Sequence, residues 1–164
     1  LLAATMRHRP SYVVAGDYDG DNICQINERA RRLRRYADHV IVVPHEPGEV
    51  VHVPSWATVG YSTPTKYAGT DAPVWEYSGR DVHILGGTIE QINEIYAHLR
   101  NSVVSIDTNT FHRSATQFAK WWGGSSPHWN QLPDVCDEKG STMAYENAIA
   151  NVAYALEESG VLSY

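Results

Sequence analysis

Asp107 closes the run Ser-Val-Val-Ser-Ile-Asp. A carboxylate placed just past a buried strand can act as a nucleophile, a general base or a metal ligand. It can equally cap the turn that follows, helped by Thr108 and Asn109. A second acidic cluster, Asp17, Asp19 and Asp21, follows Ser-Tyr-Val-Val-Ala-Gly. Such carboxylates can bind a divalent cation or hold a base near a substrate, or simply favour the start of a helix. The spacing resembles the opening of a calcium loop, but the residues after it do not supply the glutamate at position twelve. Gly86-Gly87-Thr88 brings bare backbone amides to a helix start, where a phosphate, a carboxylate or a flat base can lie. It matches neither the dinucleotide nor the Walker pattern, and a turn needing positive φ accounts for one of its glycines. The segment from Gly60 to Thr70 gathers Tyr61, Ser62, Lys66 and Tyr67. Those side chains can stack on and hydrogen-bond to a base or a sugar-phosphate, or belong to an ordered surface loop.

The remaining chemistry-bearing residues read more plainly. The chain has eight histidines but no His-x-x-x-His or His-Glu-x-x-His pair, so His45, His83, His112 and His128 read as structural. Trp121, Trp122 and Trp129 read as closing the core or bracing a loop, with Lys120 in reach of an anion or in solvent. Residues 29–35 hold five arginines in seven positions. They suit phosphates or a partner subunit, or the solvated face of an outer helix with Glu28 and Arg32 paired.

These groups are positioned by five short apolar runs, each ending in a polar or glycine-rich cluster. Continuous β-branched runs of that length read as strands buried on both faces, the habit of parallel sheets. Strands are predicted at 11–17, 39–43, 56–61, 81–85 and 102–106. Helices are predicted at 22–37, with Ile23, Ile26, Ala30, Leu33 and Ala37 inward, and at 89–100, with Thr88 and Gln91 in capping-box spacing. Further helices are predicted at 112–122 and 142–159, with a loop over 123–140. This alternation reads as a single α/β domain over residues 1–164, in a partial or reduced TIM-barrel-like arrangement or a doubly wound sheet. The barrel is preferred because polar groups stand at nearly every strand end, whereas a doubly wound sheet collects them at one switch point. The chain lacks an initiator methionine and reads as a candidate fragment of a longer one.

Composition narrows the class. With 164 residues, 43% hydrophobic and 20% charged, the chain is that of a soluble globular protein. No apolar stretch reaches membrane-spanning length, and the opening residues do not form a signal peptide. Two cysteines far apart argue against a disulfide framework and a zinc finger, and for a reducing, cytoplasmic compartment. A net charge of −6 argues against nonspecific coating of nucleic acid.

The strings Val-Gly-Tyr-Ser-Thr-Pro-Thr-Lys-Tyr-Ala-Gly-Thr (59–70), Gly-Arg-Asp-Val-His-Ile-Leu-Gly-Gly-Thr (79–88) and Val-Val-Ser-Ile-Asp-Thr-Asn (103–109) resemble a phage- and archaea-borne family. Its members look like reduced relatives of the queuine tRNA-ribosyltransferase barrels, including the phage DNA versions that insert deazaguanine bases. The resemblance covers about residues 11–122 and implies base exchange at a nucleoside. It assigns Asp107 as the nucleophile and Asp17 as the second carboxylate handling base protons. Gly86 and Gly87 would let the base lie close to the backbone, with Tyr61, Ser62, Lys66 and Asn109 as further substrate contacts. The three-cysteine, one-histidine zinc site of the tRNA enzymes has no counterpart here, so neither metal nor cofactor is expected. The expected partners are nucleic acid, DNA or RNA, and a purine-like base, with self-association into a homo-oligomer also open. The setting would be the cytoplasm, the host's if the chain is phage-encoded. A non-catalytic nucleotide-binding module and a phage structural or accessory protein are the alternative readings.

Overall fold

The computed structural model describes residues 1–66, 69–108, 120–122 and 129–131. Its contacts divide the chain into two compact units, one of residues 1–87 and 94–107, the other of residues 88–93 and 108–164. The first unit is built on a mixed α/β plan around a five-stranded sheet. Its strands are β1 (Tyr12–Asp17), β2 (His39–Val43), β3 (Thr58–Ser62), β4 (Val82–Leu85) and β5 (Val103–Asp107). All neighbours pair parallel, and the spatial order is the chain order. Every predicted strand is present within two residues of its expected bounds, and the strand order contains no reversal.

The burial pattern follows from the residue types. In β2, Val40, Ile41, Val42 and Val43 are all buried, as expected of an inner strand with both faces covered. At the margin, β1 alternates, with Val13 and Ala15 buried and Tyr12 and Val14 each 40% exposed. The helix α2 (Ile23–Leu33) makes the β1–β2 crossover and packs on both strands, burying Ile26, Ala30 and Leu33. Its opposite face is solvated, with Glu28 Oε1 3.1 Å from Arg32 Nε and Glu28 Oε2 3.6 Å from Arg31 Nη1. Exposed pairs of this kind contribute about 0.5 kcal/mol or less. The helix stops four residues before its predicted end, at Leu33, and a turn follows. A short helix, α1 (Leu2–His8), precedes the sheet and packs against α2; its sequence carries no apolar periodicity, and none was predicted there.

Among the described residues, each of the two middle crossovers carries a single 3₁₀ turn, Val50–His52 and Val74–Tyr77. Tyr77 fills the volume a helix would otherwise supply. It is fully buried and meets Tyr61 edge-on at 4.9 Å between ring centroids. Its hydroxyl lies 3.1 Å from Thr70 Oγ1 and 3.4 Å from the Pro44 carbonyl. Arg80 ties the same two crossovers together by donating to the carbonyls of Val50, Val53 and Pro54.

One face of the sheet is concave. On a flat sheet β1 and β4 would lie about 14 Å apart, three steps of about 4.8 Å. Tyr12 nevertheless stacks on His39 at 4.6 Å between centroids, and its ring is only 6.3 Å from that of His83 in β4. Over β3 the neighbours also converge. A Cβ at Gly60 would stand 2.7 Å from Val43 Cγ2 and 3.1 Å from Leu85 Cδ1. Glycine is therefore the residue that lets β2 and β4 close over the middle strand.

The helix α3 (Ile89–Leu99) buries Ile92, Ile95 and Leu99. Its predicted capping box is formed: Thr88 N donates to Gln91 Oε1 at 3.0 Å and Gln91 N to Thr88 Oγ1 at 3.3 Å. In the second unit β6 (Lys120–Trp122) pairs antiparallel with β7 (Trp129–Gln131). This corrects the helix predicted through residue 122 and the loop predicted through 129–131. Tryptophan suits a pleated ladder, and the helical spacing read from Ala115 to Trp122 does not hold over Lys120–Trp122. The rest of the helix predicted at 112–122, the helix at 142–159, and Asn109, His112 and His128 lie outside the described residues.

Candidate functional site

Two register shifts place the carboxylates. In β1, Val14 pairs with Ile41 and Gly16 with Val42, leaving Ala15 as an extra residue. Counting by twos from Val13, Asp17 would face the helices. The extra residue reverses the phase, so Asp17 pairs with Val43 on the concave face. In β5, Val82 pairs with Val103 and His83 with Ser105, leaving Val104 as the extra residue. Asp107 thereby pairs with Leu85, whose side chain reaches over Gly60 on that same face. Shifts of this kind re-aim side chains and gather near functional sites. Arg29 Nη1 caps the freed Ala15 carbonyl at 3.0 Å. Gly16, at φ 145°, leaves the space into which a Cβ would press Ile26 Cδ1 at 2.8 Å.

Asp17 is met by a histidine. Its Oδ2 lies 3.3 Å from His45 Nε2, with the two side chains 60% and 27% exposed. His45 Nδ1 is 3.1 Å from the Gly69 carbonyl. Both ring nitrogens thus face acceptors, and the ring donates to both only when doubly protonated. The main chain of His45 is equally engaged. Its N–H donates to Glu49 Oε2 at 2.8 Å, and its carbonyl accepts from Asp71 N, Ala72 N and Thr70 Oγ1. A loop residue held at every polar atom is a rigidly placed one. Sequence alone places His45 at a strand end, directly after Pro44, but offers no partner for it and so reads it as structural; the contact with Asp17 appears only in the fold.

At the other margin Asp107 is exposed and stands beside Gly86, whose N–H donates to the Asp107 carbonyl at 2.6 Å. Gly86 and Gly87 both have positive φ, 72° and 96°. A Cβ at Gly86 would meet open space, whereas one at Gly87 would press Thr63 at 3.0 Å. The turn therefore needs glycine at both positions on backbone grounds. Gly86 alone also leaves its surface bare. Asp107 and Gly86 are thus brought together. Asp17 lies at the opposite margin, four strand steps or about 19 Å along the curved sheet.

The other predicted contacts divide. Ser62 pairs with Leu85, on the concave face, and is half-buried. Tyr61 is buried on the helix-covered face against Tyr77, where it serves the core. Burial raises the pKa of its phenol, with the charge of Glu94 adding to the effect. Lys66 is exposed in the loop after β3, and Asn109 lies outside the described residues. A groove of about 360 Å³ between α1 and α2 is lined in part by Leu1, Gln25 and Arg29 and includes none of the predicted site residues. Among the described residues no three His, Cys, Asp or Glu side chains converge as a metal site. Among them, too, no helix is long and apolar enough to cross a membrane.

Deeper on the concave face His83 Nδ1 lies 2.7 Å from Ser105 Oγ. Burial pushes the His83 pKa down, opposed in part by the charge of Asp107. Above about pH 6.5 the ring is neutral in folded and unfolded states and its contribution is complete. As pH falls below that value the unfolded chain takes the proton first, so stability is lost until the lower folded value is passed. Urea midpoints are expected to fall between pH 7 and pH 5, and to fall less in His83→Gln. An equal fall in the variant would remove His83 as the cause.

The fold and site define a class: an α/β protein whose curved parallel sheet carries two re-aimed carboxylates along the C-terminal edge of its concave face. A model described as a family of unknown function (DUF6610) matches residues 1–157, and the chain belongs to that family. No curated protein and no solved structure matches it.

Proposed function

We propose that this chain is a base-exchange transglycosylase of reduced barrel type, replacing guanine with a deazaguanine in DNA or RNA, with Asp107 as nucleophile. The observation that carries the reading is the exposed Asp107, turned by the Val104 register shift onto the concave face beside the bare Gly86 backbone. The unreversed strand order and the curvature favour a partial barrel, in which chemistry sits at the C-terminal strand ends. An Asp107 oxygen would attack the anomeric carbon as its bond to the departing purine breaks, giving a covalent glycosyl–enzyme intermediate. The incoming base would then take the sugar from Asp107. Gly86 and Ser62 lie between the two margins, where a flat base can rest, and Asp17 with His45 forms the opposite wall. Nucleic acid is the partner this reading requires, and the cytoplasm the compartment in which it would work.

The test is intact-mass analysis after mixing the protein with a guanine-containing oligonucleotide, followed by peptide mapping. The expected result is a covalent adduct on the peptide that contains Asp107. An adduct on another residue would overturn the assignment. Binding without an adduct would favour a nucleotide-binding module, and no binding at all a structural or accessory role.

A further inference from the structure

The departing purine needs a proton, and the wall opposite Asp107 holds the group able to give one. We propose that His45, not Asp17, is the proton carrier of the site, with Asp17 and the Gly69 carbonyl orienting its ring. This rests on the base-exchange reading and adds to it the residue that works on the base. His45 Nε2 lies 3.3 Å from Asp17 Oδ2, its Nδ1 lies 3.1 Å from the Gly69 carbonyl, and its side chain is partly open at the C-terminal edge. Glu49 is the other carboxylate at this residue, and it is occupied by the main-chain N–H groups of His45 and Glu46. Asp17 is therefore the charge that faces the ring. An imidazole can give a proton from a ring nitrogen and take one back at the same atom, and Asp17 and the Gly69 carbonyl are placed to hold that ring in one orientation.

The geometry suits a single purine. β2 and β5 are three steps apart, about 14 Å along the sheet, and the curvature brings their ends closer. Two side chains and one purine bridge such a gap, with Gly86 and Ser62 between. In the first half-reaction the bond from Asp107 to the anomeric carbon forms and the bond from that carbon to the purine nitrogen breaks. The electron pair leaves with the purine, and the proton passes from His45 Nε2 to a ring nitrogen of the purine. In the second, the incoming base gives its ring N–H proton to His45 as its nitrogen takes the anomeric carbon, and Asp107 is released as carboxylate. The protein ends as it began.

The test separates proton donation from structure by the choice of leaving group. Adduct formation is followed on a guanine oligonucleotide and on the same oligonucleotide carrying N7-methylguanine, a cationic base that departs neutral without a proton. In His45→Gln the rate on guanine is expected to fall by about 10²-fold or more. The rate on N7-methylguanine should stay within about threefold of wild type. Asp17→Asn, which leaves the His45–Gly69 contact in place, should show the same selectivity with a smaller fall, and it carries the test if His45→Gln does not fold. Equal losses on both substrates would make His45 a structural residue and overturn the proposal, as would no loss on guanine. Failure of the wild type on both substrates would instead sink the base-exchange reading itself, and this proposal with it.

Discussion

Asp107→Asn is expected to lose adduct formation by at least about 10⁴-fold, the scale on which removal of a nucleophile acts, while folding like the wild type. The substitution is nearly isosteric and the side chain is exposed, so the stability change should stay within about 0.5 kcal/mol. The hydrogen bond from Gly86 N to the Asp107 carbonyl is made by the main chain and survives the change. A second readout follows from the same charge. Asp107 opposes the fall in the His83 pKa, so in Asp107→Asn the His83 titration should move further down, as read by NMR. Unchanged adduct formation would remove Asp107 as nucleophile. A His83 titration that did not move would mean that the carboxylate is not directed toward this face.

Tyr77→Ala is expected to be among the most destabilising single changes in the first unit, at about 4 kcal/mol. Against a typical total of about 5–15 kcal/mol, such a loss would leave the fold near its threshold. The cause is that the described residues of the two middle crossovers form 3₁₀ turns in place of an α-helix, so the ring itself fills that volume. Without the ring, Tyr61 loses its edge-on partner, and Thr70 and the Pro44 carbonyl lose the hydroxyl that joins them. Thr70 in turn holds the His45 carbonyl, so damage should reach the site through the loop after β2. Tyr77→Phe, which keeps the ring, should cost only about 1 kcal/mol. The phenol also predicts alkaline behaviour. Burial pushes its pKa from 10.0 up to about 12, so its contribution is complete below pH 10 and is lost as the pH rises toward 12. Urea unfolding of the three proteins at pH 7 and pH 11 checks both points. A Tyr77→Ala midpoint close to wild type would show that the crossovers can repack without the ring.

The strand ends were legible in the sequence because each depends on a contiguous stretch of a few residues. His-Val-Ile-Val-Val is a β-branched run closed by Pro44, and Val-His-Ile-Leu is closed by Gly86-Gly87. Period and punctuation of that kind are local properties, and so is the capping box at Thr88 and Gln91. The pairing of Lys120–Trp122 with Trp129–Gln131 was missed because a ladder is a non-local property. A helical spacing of apolar residues could be extended into it without any local contradiction.

By itself, then, the sequence determined that five parallel-type strands exist, that polar residues stand at the strand ends, and that α2 buries Ile26, Ala30 and Leu33, though Ile23 is only half-buried and Ala37 lies beyond the helix. Which side chains share a face was decided only by the tertiary structure. The side-chain period along a strand is two, so a single extra residue at Ala15 or Val104 reverses every orientation beyond it. Neither shift leaves a mark in composition or period; each exists only relative to the neighbouring strand. The same reason explains why Tyr61, one residue before Ser62, belongs to the core, and why Asp17 meets His45 rather than Asp107. Their meeting is set by adjacent strands, and the separation of the two carboxylates by the three strands that fold between them.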